Sequence, residues 1–158
     1  MTNESNLKPF AAGDIFVGAT LLNNPNDDHA GDGRIIQFDT DLNEKGILWP
    51  KNTTHLIGGL KFDNHQNLWA FDSQNYSNIR IDTNGNQLEE VDFGSRSYSN
   101  ACFTRDGNIF LGEHLVGDIS NNKAFEGPRK LGTVLPFMPE TDRYGDGNLY
   151  KFSSSGDL

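Results

Sequence analysis

The residues best suited to chemistry in this 158-residue chain gather behind the third of three similar apolar strands, where Glu113 and His114 stand side by side a short way after Asn100. A carboxylate neighbour can tune an imidazole to act as a general base, which makes His114 the catalytic candidate. Sequence neighbours at a strand end point to opposite sides, so only one of the pair faces any central channel, and a structural role for His114 outweighs a catalytic one. Two acidic stretches, DHAGDGRIIQF and DRYGDGNLYKF, end alike, with Asp28, Gly31, Asp32 and Gly33 matching Asp142, Gly145, Asp146 and Gly147. Oxygen-rich loops of this kind can coordinate calcium, with Asp32 and Asp146 as ligands, although their spacing is not that of an EF-hand. The plainer expectation is that Gly-Asp-Gly is the turn that opens a strand.

Other chemistries find little to work with. Cys102 is the only cysteine, so no intrachain disulfide and no paired-cysteine metal site can form. Its setting, NACFTRDGNIFLG, predicts a small buried thiol rather than a nucleophile. No phosphate loop, nucleophile elbow, zinc-ligand pair or nucleotide fingerprint is present. With 13 Lys and Arg against 22 Asp and Glu, the net charge of -9 argues against nucleic acid or an anionic membrane as partner and is compatible with a cation. Trp49 and Trp69 lack the basic company that nucleic-acid stacking requires and are expected to be packing aromatics. His65 is expected on an exposed turn. The stretch MTNESNLKPF has neither a basic start nor an apolar run, and no segment reaches the length of a membrane span. The expectation is a soluble chain without a signal peptide in this sequence, with cytoplasmic and secreted compartments both open.

The elements that must position these residues repeat. GDIFVG from Gly13, QNLWAF from Gln66 and GNIFLG from Gly107 each read as a turn followed by an apolar strand. The match of the last two extends backwards, pairing Leu60, Phe62 and Asn67 with Ala101, Phe103 and Asn108. Downstream of each, RIIQFDTDLN, NIRIDTNGNQ and NLYKFSSSGD place Phe38, Ile81 and Phe152 at one position. A period just above 40 residues matches a four-stranded propeller blade. Alternation such as Ile79 and Ile81 against Arg80 and Asp82, bounded by Asn, Asp, Gly and Ser turns, is that of strands packed on a face. The fold expected is all-β: antiparallel four-stranded β-propeller blades in strand order a, b, c, d, about half of a six-bladed propeller. The first spans about 7–50, with NLKPF as its strand a. The second spans about 55–94, with QLEEVDF as its strand d. The third spans about 98–158 and carries an insertion at 114–147.

LKFDNHQNLWAFD and SNACFTRDGNIFLGE resemble the blade pattern of the six-bladed propellers grouped as SMP-30 or gluconolactonase-like, and of the related NHL-type propellers. In those blades a small residue or Asn precedes an apolar strand, then Asp-Gly-Asn, then a second apolar strand ending near an acid; here Asp106, Gly107, Asn108 and Glu113 fill the pattern. The resemblance implies a divalent cation, usually calcium, held at the mouth of the channel by Asn, Asp and Glu side chains, with Asn100, Glu113 and Asp72 as the matching positions. Gly59 stands where the second blade would repeat Asn100, and Ala19 where the first would repeat Asp72 and Glu113, so the ligand set is partial. The activity implied is calcium-assisted hydrolysis of a lactone or ester. The shared motif is a fold signal far more than a function signal.

In a blade the d-to-a and b-to-c connections leave one face of the disc, which gathers Asn100, Asp72, Glu113 and His114 with both long insertions. Long loops in a compact domain are commonly functional. The alternative function is therefore a non-catalytic propeller that binds a protein or glycan through these loops, with Phe125, Phe137 and Met138 in a proline-stiffened segment. Three blades would leave apolar faces open at both ends, with Phe16 and Phe110 among the residues so placed. The missing blades are expected from a continuation of the chain, which the break inside the third blade favours, or from a second copy.

Overall fold

The computed structural model describes residues 3–27, 30–51, 53, 57–72, 77–93, 98–113 and 149–153, with only the backbone of Glu113. Ten strands form three antiparallel sheets, and no helix occurs among the described residues. The first sheet is β1 (Ile15–Leu22), β2 (Gly31–Phe38) and β3 (Glu44–Leu48), in that order. The second is β4 (Ile57–Phe62), β5 (Leu68–Asp72), β6 (Asn78–Ile81) and the two-residue β7 (Gln87–Leu88). The third is β8 (Tyr98–Phe103), β9 (Ile109–Glu113) and β10 (Leu149–Phe152).

The repeat read from the sequence is a repeat of register. Ile15 pairs with Phe38, Leu68 with Ile81 and Ile109 with Phe152, and two residues further along Val17 pairs with Ile36, Ala70 with Ile79 and Leu111 with Tyr150. β1, β5 and β9 are therefore one element seen three times, and β2, β6 and β10 another. Because paired residues share a face, each sheet sends alternate pairs to its two faces. Leu68, Ala70, Ile79 and Ile81 pack against Ile35 and Leu48 of the first sheet. Ile109, Leu111, Tyr150 and Phe152 pack against Trp69, Phe71 and Phe93. The second sheet is covered on both faces, so β5 is buried throughout, whereas β1, covered on one, alternates at its start.

Close approach of the sheets demands glycine at two places. A Cβ on Gly18 of β1 would run into the carbonyl oxygen of Ile57, and one on Gly59 of β4 into that of Ser99. Gly59 also has a φ of 64°, which side chains resist. That requirement explains why the second sheet carries glycine where the third carries Asn100.

Four expectations are corrected. NLKPF is not an innermost strand: the Asn6 N–H donates to the Ile47 carbonyl at 2.8 Å and the Trp49 N–H to Ser5 Oγ at 2.9 Å, which lays this segment along β3, at the opposite edge from β1. QLEEVDF is a strand only at Gln87–Leu88; beyond it the chain is held by the Asn78 side chain, which donates to the Val91 carbonyl at 2.6 Å and accepts the Val91 N–H at 3.0 Å. Phe16 faces the second sheet, with its ring 4.6 Å from Phe10 and 5.8 Å from Phe62, and Ile15 and Val17 are the outward residues. Cys102 is exposed, because it pairs with Phe110 on the face of the third sheet that looks away from the second.

Candidate functional site

The two ends of the sheets are built differently. At one end every described hairpin is a five-residue turn of the same make: Asp39–Asn43, Asp63–Asn67, Asp82–Asn86 and Thr104–Asn108. In each, the first N–H donates to the carbonyl of the fifth residue, and the N–H of the fourth returns to the carbonyl of the first. The fourth residue has positive φ every time, at Leu42, Gln66, Gly85 and Gly107. Where the first residue is Asp, its carboxylate accepts the N–H groups of the third and fifth and the Asn side chain of the fifth, as Asp82 does with Asn84 and Asn86. In the fourth turn Asp106 takes over, accepting from the Thr104 hydroxyl and the Asn108 amide. These bonds hold the carboxyls below the ordinary range: Asp39 through the Asn43 side chain first, Asp82 through the Asn86 N–H first, and Asp106 through the Thr104 hydroxyl first. His65 lies exposed on the second of these turns, as expected.

The opposite end carries the connections from Leu22 to Gly31, from Asp72 to Asn78 and from Glu113 to Leu149, which share no length. Three of the residues singled out in the sequence lie at this end. Asp72 and Glu113 end β5 and β9 at the same register, opposite Ile57 and Tyr98, and Asn100 lies opposite Gly112, one residue from Glu113. Asp72 is fully buried, its N–H donating to the Ser77 carbonyl at 3.0 Å, and Asn100 is exposed. Asp32 is exposed and opposite Leu21, so Gly-Asp-Gly at 31–33 forms the first residues of β2 rather than a turn before it. Ala19 holds the third equivalent of Asp72, paired with Arg34. His114, Asp146, the 114–147 insertion and the side chain of Glu113 lie outside the described residues. Among the described residues no three of the His, Cys, Asp and Glu side chains are grouped to share a metal ion.

Two polar clusters at the turn end escaped the sequence reading. Between the second and third sheets a cleft of about 120 Å³ is lined by Trp69, Arg80, His65 and Phe103 among others. The Arg80 guanidinium lies 4.8 Å from the centre of the Trp69 ring and donates to the Glu89 carbonyl at 3.1 Å, while the indole N–H donates to Asp63 at 2.9 Å. Both tryptophans thus have basic company, since Arg34 sits 5.6 Å from Trp49. The cross-strand pairing of Trp69 with Arg80 is the signal that could have revealed it. In the first sheet Asp14 accepts from Lys45 Nζ at 2.6 Å, from Gln37 Nε2 at 2.7 Å and from the Ala11 N–H at 2.9 Å. Burial pushes this carboxyl up, and the Lys45, Ala11 and Gln37 contacts outweigh it and hold it low. Gln37 is itself buried and accepts the Lys8 N–H at 2.9 Å. With its oxygens so engaged, Asp14 is a clamp on the amino-terminal segment rather than a reactive group.

No helix among the described residues is long and apolar enough to cross a membrane. Models of known protein families give no match to the chain, and neither do curated proteins. Among solved structures, one of a protein of unknown function from Bacteroides caccae is similar at 13% identity, over 94% of this chain and 67% of that one, with a TM-score of 0.36.

Proposed function

We propose that the chain is an arc of β-propeller blades that works as a ligand-binding module, receiving a protein or glycan at the end where the Leu22–Gly31, Asp72–Asn78 and Glu113–Leu149 connections emerge. The contrast between the two ends carries this reading. One repeats a single five-residue turn four times, as a scaffold does, and the other varies its connections on strands of common register. Recognition sites are commonly built on variable loops held by a regular frame. A glycan array probed with labelled chain, beside a variant lacking residues 124–140, tests it. Loss of binding with an unchanged circular dichroism spectrum is expected. An array profile unaffected by the deletion would sink the loop as the binding element.

A second reading is supported by the shared register of Asp72 and Glu113 at the strand ends, with Asn100 paired one residue before Glu113. Here the same end holds calcium, which polarises the carbonyl of a lactone or ester, with His114 as general base. Calorimetric titration with calcium chloride decides it. Binding that is absent, or unchanged in Asn100→Ala and Glu113→Gln, removes the cation site and the hydrolase with it.

A further inference from the structure

We propose that two copies of this chain close on one another, the outward face of the third sheet in each docking on the outward face of the first sheet in the other. The molecule makes this kind of contact twice within itself, and that is what identifies the occupant. Register makes Ile15, Val17, Ile36 and Phe38 the counterparts of Leu68, Ala70, Ile79 and Ile81 in the second sheet, and of Ile109, Leu111, Tyr150 and Phe152 in the third. In the second and third sheets all eight are 4% exposed or less, because the preceding sheet covers them. In the first sheet Ile15 and Val17 are each 41% exposed. Side chains suited to a covered sheet face are open there.

The chain also carries the kind of face that does the covering. Phe16 and Trp69, which look toward the following sheet, have Phe110 as their counterpart in the third. Phe110 lies with exposed Cys102 and Lys151 on the side away from the second sheet. At the turn end the charges of the two faces are opposite, exposed Glu44 pairing with Phe38 on the first sheet and exposed Lys151 with Phe110 on the third, while Arg34, paired with Ala19, lies further along the first face. The described residues present one face of each kind, and two copies satisfy both through two identical contacts.

Light scattering on the 158-residue chain at micromolar concentration should give the mass of two chains. Val17→Asp and Phe110→Asp should each give monomer, raising the dissociation constant at least about 10-fold, since a carboxylate must be dehydrated in the contact. An equimolar mixture of the two variants should recover a two-chain species, because one native pair of faces remains. Thiol labelling gives an independent measure: Cys102 should react slowly in the wild-type chain and faster in Val17→Asp, although the substitution is on another sheet. Near-UV circular dichroism checks folding, and Ile36→Ser replaces Val17→Asp if that variant does not fold. A folded wild-type monomer, a mixture that stays monomeric, equal labelling rates, or open-ended polymers would each overturn the pairing.

Discussion

The indole N–H of Trp69 donates to the carboxylate of Asp63 across the hairpin that joins β4 to β5, at 2.9 Å. The same carboxylate accepts the N–H groups of His65 and Asn67 and the Asn67 side chain. One turn residue thus holds its own turn and anchors a large aromatic of the core shared by the second and third sheets. Asp63→Ala would leave the buried indole N–H without a partner, a loss of about 2 kcal/mol. Urea unfolding followed by tryptophan fluorescence measures it, and a change below about 0.5 kcal/mol would show that the bond contributes little.

Stability should fall in acid. Burial pushes Asp63 up, but the bonds from Trp69, Asn67 and His65 outweigh it, so its carboxyl, like those of Asp14, Asp39, Asp82 and Asp106, is held below the ordinary value. A carboxyl depressed in the folded state contributes stability that is present above its unfolded pKa, about 3.9, and is lost as pH falls through the folded value. Urea midpoints should be level from neutral to about pH 5 and drop below about pH 4, and Asp63→Asn should flatten that drop. Midpoints that rise on acidification would contradict the assignment.

The turn end contains two residues that the repeat itself would replace. Leu42 and Gln66 adopt φ of 63° and 66° where Gly85 and Gly107 adopt 87°. Left-handed backbone costs an ordinary residue about 1 kcal/mol, partly offset by the freedom glycine loses on folding. Leu42 is 67% exposed, so little packing is lost with it. Leu42→Gly should stabilise by about 0.5 kcal/mol and Gly85→Ala should destabilise by 1 kcal/mol or more. Thermal melts compare them directly, and a Leu42→Gly protein that melts lower would show that its side chain packs in solution.

Everything that depends on local periods is legible in the order of the residues. Strand alternation and the recurring turn-then-apolar-strand segments placed β1, β5 and β9 in one alignment, and the pairing of Ile15, Leu68 and Ile109 with Phe38, Ile81 and Phe152 bears that alignment out. It also brought Asp72 and Glu113 to one register, because both close the same repeated strand. Tertiary structure alone decided which face of a strand meets which neighbour. A period of two says that faces differ, not what covers them, so the strand pattern predicts neither the inward place of Phe16 nor the exposure of Cys102. It also decided the course of residues 5–8 along β3, the clamp of Asp14, Gln37 and Lys45, and the stacking of Arg80 on Trp69. Each of these rests on contacts between separate strands or segments, set by how the sheets twist and stack, and no window of neighbouring residues contains that information.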